Sequence, residues 1–469
     1  MKKAKYLLSF ILVFAIVIGS FTLSAFAADV NEVEDNNTKE NATAFTYDVA
    51  AVGALADKDD VDFYNVSSAK NGLATVKLVS NSSDDFTVTV FAEDGTTQLT
   101  SFVASSTNTT STQFGVAEGF VYYIKVSAGS QVSGVNYTLT FNVTEYKYSE
   151  KEDNNTESAA NEIAIKASSN ESEEYFGSVT AGDVDFFKFQ GKNSSYFFID
   201  FKNTDTSNAS LNLEVYAVVG TETKKIAATD VTASAKSVST ANVGIKNATY
   251  FIKVFGADSS QTGAYTVKVT LKSTTKALET EYNNTEDFCN TISLTGAKAN
   301  SILMIGSTSY QDDVDIYKLD VTTSDKKYVI ALNVDTTEDK DNPDARINKD
   351  GNFTVSLKDG DTKTATSTAP AEFEITEPGT YYFTVKKGVT YTEGLYYFTL
   401  KSVEDYKKET KINDFQSFIN AIKALDWGAF WNENSFGQLI DIIRGSGVIK
   451  ELLRLSFGTI ITWITGSAS

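Results

Sequence analysis

Between residues 28 and 405 the chain runs in short stretches that alternate apolar and polar positions, broken by Gly, Asn, Asp and Ser. FTVTV from Phe86, LNLEV from Leu211 and FTVSL from Phe353 are the clearest of them. Successive side chains of a strand point to opposite faces, so a period of two predicts half-buried strands. Asp94-Gly95 and Asp359-Gly360 supply turn chemistry after two of these runs. YYIKV from Tyr122, YFIKV from Tyr250 and YYFTV from Tyr381 are each followed by a Gly-containing loop, and then NYTLTF, AYTVKV and YYFTL run back. These pairs predict a closing hairpin in each copy. Helical periodicity is almost absent before residue 405, so the pattern as a whole predicts antiparallel β-sandwiches.

The pattern repeats at domain scale. EVEDNNTKENATAF begins at Glu32, EKEDNNTESAANEI at Glu150 and ETEYNNTEDFCNTI at Glu279. The spacing of roughly 120 residues is that of whole domains rather than of solenoid repeats. Each NNT word is followed by a DVD word, Asp60-Val61-Asp62, Asp183-Val184-Asp185 and Asp313-Val314-Asp315, and then by DFYNV, DFFKF or DIYKL. Three tandem sandwiches are expected over 28–145, 146–273 and 274–405, with linkers near Glu145–Lys151 and Ser273–Leu278. The register also places Cys289 where the other copies have Ala42 and Ala160, a small apolar column that would be buried.

The ends are different. Lys2, Lys3 and Lys5, an apolar run from Leu7 to Ile18 and Ala25-Phe26-Ala27 form a secretory signal peptide over 1–27. No Cys follows the apolar run, so a bacterial lipoprotein anchor is not indicated. After Asp405, Phe415, Phe418, Ile419, Ile422 and Leu425 recur at helical spacing, and Trp427, Trp431 and Trp463 gather there. Residues 406–469 are expected to form a small amphipathic helical segment, too short in uncharged sequence to span a bilayer. Three readings stay open for it: a helical hairpin packing on itself or on the third sandwich, self-association, or contact with a membrane surface. It carries no wall-sorting LPxTG word.

Composition narrows the chemistry. The formal net charge is −20, and three of the lysines lie in the signal peptide, so phosphate backbones would be repelled and nucleic acid is not an expected partner. The chain has no His, which excludes Ser-His-Asp triads and His-ligated zinc. A single Cys rules out an intrachain disulfide, so stability rests on apolar cores and on any metal bound.

On an extended segment Glu32, Glu34 and Asn36 share a face, as do Glu150, Glu152, Asn154 and Glu279, Glu281, Asn283. The second word adds Asp60 and Asp62, Asp183 and Asp185, Asp313 and Asp315. Four converging carboxylates repel strongly, and a hard cation taking six to eight oxygens with flexible geometry relieves that, which makes calcium the natural choice. The competing reading is of solvated strand-lead residues whose Asn and Asp bond their own backbone. Strict alternation puts Asp62, Tyr64 and Val66 on one face, so Asp62 is expected at a rim or a bulge.

With ExExNNT, DVD before an aromatic and YYIKV…YTLTF in this order, the chain resembles three copies of the bacterial pre-peptidase C-terminal domain, which is similar to collagenase collagen-binding domains. The resemblance implies jelly-roll-like sandwiches, and calcium held by the positions just named. No peptidase domain accompanies them in this sequence. The function expected is that of a secreted or cell-surface, non-catalytic protein whose modules bind an extracellular polymer or protein, with repetition supplying avidity. The alternatives are a spacer or assembly subunit acting through its tail, and a glycosidase built on paired carboxylates.

Overall fold

The computed structural model describes residues 29–128, 134–204, 209–231, 237–242, 248–308, 313–323, 326–335, 352–388 and 394–405. The predicted signal peptide and helical tail lie outside them. The described strands group into three pairs of facing sheets, each pair around its own apolar core.

In the first sandwich one sheet runs Thr43–Thr46, Val61–Ser67, Val121–Ala128, Phe86–Phe91, Gln98–Ala104 from edge to edge. The facing sheet runs Val30–Asn31, Ala50–Leu55, Val135–Glu145, Gly72–Ser80, Phe114–Val116. The second sandwich repeats this order with Asn161–Glu162, Val184–Gln190, Thr249–Gly256, Leu211–Val219, Glu222–Val231 facing Tyr175–Val179, Gly263–Ser273, Ser195–Asn203, Ser237–Asn242. The third follows with Asn290–Ile292, Val314–Val321, Gly379–Lys387, Asn352–Leu357, Thr362–Thr366 facing Ser301–Thr308, Gly394–Asp405, Lys326–Val334, Ala371–Ile375.

The alternation in sequence is the alternation in burial. Phe86, Val88 and Val90 point inward, against Tyr137, Leu139 and Phe141 of the opposite sheet. Each such side chain taken out of water contributes about 1.5–3 kcal/mol, and no disulfide is needed.

Strand pairing differs from expectation in two ways. The YYIKV and NYTLTF runs do not form a hairpin. Val121–Ala128 pairs with Val61–Ser67 and Phe86–Phe91, whereas Val135–Glu145 pairs with Ala50–Leu55 and Gly72–Ser80 in the other sheet. Both strands have one apolar face, and those faces can bury each other only from opposite layers, about 10 Å apart. The same holds for the YFIKV/AYTVKV and YYFTV/YYFTL pairs. Nor are the sheets wholly antiparallel. Thr43–Thr46 lies parallel to Val61–Ser67, because the chain visits the opposite sheet between them, and this recurs in the other two sandwiches. The Asp94-Gly95 and Asp359-Gly360 turns do join paired strands, with Gly95 at φ 67 and Asp359 at φ 58.

The column of small residues is also corrected. Ala42, Ala160 and Cys289 each end a 3₁₀ turn, but only Ala160 is buried; Ala42 and Cys289 are half-buried.

The sandwiches touch. Tyr146, in the first linker, stacks on Phe176 at 3.8 Å, and Phe198 of the second sandwich packs with Leu278 and Leu395 at the next junction.

Candidate metal centres

The two recurring words meet in each sandwich. Their backbones are joined where Phe63, Phe186 and Ile316 N–H donate to the carbonyls of Asn36, Asn154 and Asn283. The second Asn of the NN pair reinforces the join, since Val61 N–H donates to Asn37 Oδ1 and Val184 N–H to Asn155 Oδ1, both at 3.2 Å. The peptide after the second glutamate is cis in all three copies.

This join brings together Glu32, Glu34 and Asp62; Glu150, Glu152 and Asp185; and Glu279, Glu281 and Asp315. In each group one carboxylate oxygen per residue lies within 4.8 Å of the others. Among the described residues these are the groups of acids close enough to share a cation. Asp60 and Asp183 stand beside the groups, with carboxylates turned to local backbone: Asp60 accepts from Ala56 N–H at 2.6 Å, and Asp183 from Thr180 N–H at 3.2 Å. Asp313 is buried at the same place in the third copy. Asp62 sits neither at a bulge nor at a solvated rim. Its strand pairs in unbroken register and its side chain is fully buried beside Tyr64 and Val66.

What makes an acid tolerable on that inward face is a set of tyrosines that sequence reasoning missed. Tyr137 donates to Asp62 Oδ2 at 2.5 Å, and its hydroxyl lies 2.8 Å from that of Tyr64, which donates to Glu32 Oε2 at 3.0 Å. In the second copy Tyr265 serves Asp185 at 2.7 Å and Glu150 at 3.2 Å, with Phe187 replacing the other tyrosine. In the third, Tyr396 donates to Asp315 at 2.5 Å and Tyr317 to Glu279. The recurrence of Tyr137, Tyr265 and Tyr396 in the returning strand was the available signal. The first glutamate of each word is also held by a backbone donor, Ala54 or Ser178 at 2.7 Å and Ser307 at 2.5 Å.

Close approach depends on a glycine in each copy. A Cβ at Gly53 would lie 2.2 Å from Tyr64 Oη and 2.6 Å from Glu32 Oε2. At Gly177 it would meet Tyr265 and Glu150, and at Gly306 Tyr317 and Glu279, at similar distances.

Burial pushes these carboxyls upward, with the neighbouring acids adding to it. Asp62 and Glu279 reach about 8, and Glu150, Glu152, Asp185, Glu281 and Asp315 stand well above the usual carboxylate range. Without a cation, burial favours the protonated form of these shifted carboxyls.

The residues fit a hard cation. Asn154 has both side-chain polar atoms buried without a hydrogen-bond partner, and so are Oδ1 of Asp185, Asn283 and Asp315. Buried polar atoms in native proteins are almost always paired, so oxygens orphaned beside acids are places for a ligand. At the first site the Asn36 side-chain nitrogen donates to Glu34 Oε2 at 3.3 Å and to Asp62 Oδ1 at 3.0 Å. The donor set is all oxygen, as calcium prefers.

No family model matches the chain, and no curated protein does. Among solved structures it is similar to the pre-peptidase C-terminal domain of a collagenase from Bacillus anthracis, at 20% identity over 23% of this chain and 99% of that one, with a TM-score of 0.20. It is similar too to PliG of Aeromonas hydrophila, a periplasmic inhibitor of g-type lysozyme, at 16% identity over 24% and 96%, with a TM-score of 0.19. A mitogen from Yersinia pseudotuberculosis matches at 17% identity over 23% and 91%, with a TM-score of 0.18. Each likeness spans about one sandwich's worth of chain. No helix among the described residues is long and apolar enough to cross a membrane.

Proposed function

We propose that the protein is a secreted, non-catalytic binding protein built from three pre-peptidase C-terminal-like, jelly-roll-like modules, each stabilised by one calcium ion. Glu32, Glu34, Asp62 and Asn36 would hold the first ion, with Glu150, Glu152, Asp185, Asn154 and Glu279, Glu281, Asp315, Asn283 as their counterparts. Asp60, Asp183 and Asp313 supply further negative charge beside them. The observation that carries the reading is the orphaned, buried oxygen on the acid group, at Asp185 and Asn154 in the second copy and at Asp315 and Asn283 in the third. The ion's contribution is charge neutralisation, which lets the acids and tyrosines stay buried. Recurrence in every copy favours a stabilising role over a catalytic one, because a catalytic acid pair is needed once.

The modules then present their outer surfaces to an extracellular polymer or protein, and three in series raise avidity. Thermal melting with calcium and with chelator tests the metal half. A higher midpoint in calcium, abolished at one site by Glu152→Gln or Asp185→Asn, is expected, and equal midpoints would refute it. Pull-down on insoluble polysaccharide, collagen and cell-wall material tests the binding half, which fails if every material leaves the protein in solution.

A further inference from the structure

The second acid group is not enclosed by its own sandwich alone. A Cβ on Gly115, in the edge strand Phe114–Val116 of the first sandwich, would lie 2.3 Å from Glu150 Cγ and 3.0 Å from its Oε1. Around this contact the first sandwich is fastened to the second. Ser178 Oγ donates to Gln113 O at 3.0 Å, and Thr180 Oγ1 to Leu99 O at 2.7 Å. Lys151, between the two glutamates of the word, has its ammonium 3.3 Å from the centre of the Phe120 ring. Burial raises the Tyr122 phenol of the first sandwich, and the charge of Glu152 across the junction adds to the rise. Glu150 is fully buried and Glu152 nearly so.

The first acid group lacks such a cover among the described residues. Glu34 is exposed, Glu32 is half-buried, and Val33, which stands where Lys151 does, is 69% exposed. At the third site the matching edge strand, Ser237–Asn242, lies beside Ser301–Thr308, and Glu279 and Glu281 are buried.

From this contrast we infer that the first sandwich is the lid of the second cation site, so that an ion there enters and leaves only when the junction between sandwiches opens. Resting on the calcium reading above, this adds regulation. The first site exchanges freely, while an ion in the second fixes two modules relative to each other. Gly115 is a positioning residue for a site in the neighbouring module, where only a hydrogen leaves room for the Glu150 methylene.

The test is stopped-flow release of calcium from the full chain into a fluorescent chelator, after equilibrium dialysis has counted the bound ions. Expected are a fast equivalent, lost in Asp62→Asn, and slow release from the covered second and third sites, of which one equivalent is lost in Asp185→Asn and the other in Asp315→Asn. Gly115→Ala is expected to speed the slow equivalent of the second site by about tenfold, since affinity differences between close variants fall mainly on dissociation, and to leave the fast one in place. That fast equivalent, held by the first sandwich, reports that the variant has folded. Lys151→Ala, at an exposed position, is expected to speed the second-site equivalent less, and it carries the test should Gly115→Ala fail to fold. Release in a single phase, or a slow phase unchanged by either variant, overturns the lid. Absence of bound calcium in dialysis overturns the calcium reading itself, and the lid with it.

Discussion

The first and second acid groups are written in nearly the same residues and differ in their surroundings. Glu32 and Glu34 are half-buried and exposed, whereas Glu150 and Glu152 are sealed against the preceding sandwich at Gly115. The ligand set is therefore local, set by two words of one module, while its dielectric environment is supplied by a neighbour. Charges screened by water at the first site interact far more strongly at the second, and the cost of leaving them uncompensated grows in the same proportion.

That contrast can be broken by mutation. With calcium present, Glu152→Gln should destabilise its module by about 3 kcal/mol, as removing one partner of a buried charged set does. Glu34→Gln should cost less, because Glu34 is exposed and water screens the interaction it gives up. Urea unfolding of both variants checks this, and equal losses would erase the distinction. Chelation is the next largest effect. Calcium at a hundred times its Kd stabilises a native-only site by about 2.7 kcal/mol. The resulting shift in melting midpoint should vanish stepwise in Asp62→Asn, Asp185→Asn and Asp315→Asn.

The pH dependence of the chelated protein sharpens the comparison further. Asp62 and Glu279 have folded values near 8, above those of the unfolded chain, so the native state binds more protons between the two. Stability without calcium should fall as pH rises from about 4 through 8, and saturating calcium should flatten that slope. A midpoint rising over the same range in chelator would contradict the sign. The smallest effect expected is from Lys151→Ala, which gives up a cation–π contact of about 0.5–1 kcal/mol at the junction. Chemical denaturation should register it in the second module and leave the third unchanged.

Much of this fold could be read from period and recurrence. The alternation in FTVTV and LNLEV maps directly onto inward Phe86, Val88, Val90 and Leu211, Leu213, Val215. The lead-in trios fall on one face, clearest in the second copy, where Glu150, Glu152 and Asn154 are buried and Lys151 and Asp153 are exposed. Strand pairing was harder. YYIKV and NYTLTF have the look of a hairpin because both alternate, but alternation states which face is buried and not which layer a strand joins. Alternation alone points Asp62 to a rim or a bulge, because an acid on a core face is costly to bury. The hydroxyl of Tyr137 makes that position tolerable, and it comes from a strand some seventy-five residues later in the chain. Tyrosine in a β-rich sequence is ordinary, so only register against its counterparts Tyr265 and Tyr396 marks it. The cover supplied by Gly115 had no signal in sequence, since it arises from how one sandwich rests on the next.

The most direct measurement is a count of calcium ions bound per full chain at equilibrium, by dialysis and elemental analysis, in the wild type and in Asp62→Asn, Asp185→Asn and Asp315→Asn. Three ions are predicted for the wild type and two for each variant. A wild type that binds none, or variants that bind as many as the wild type, would contradict the assignment of the acid groups as calcium sites.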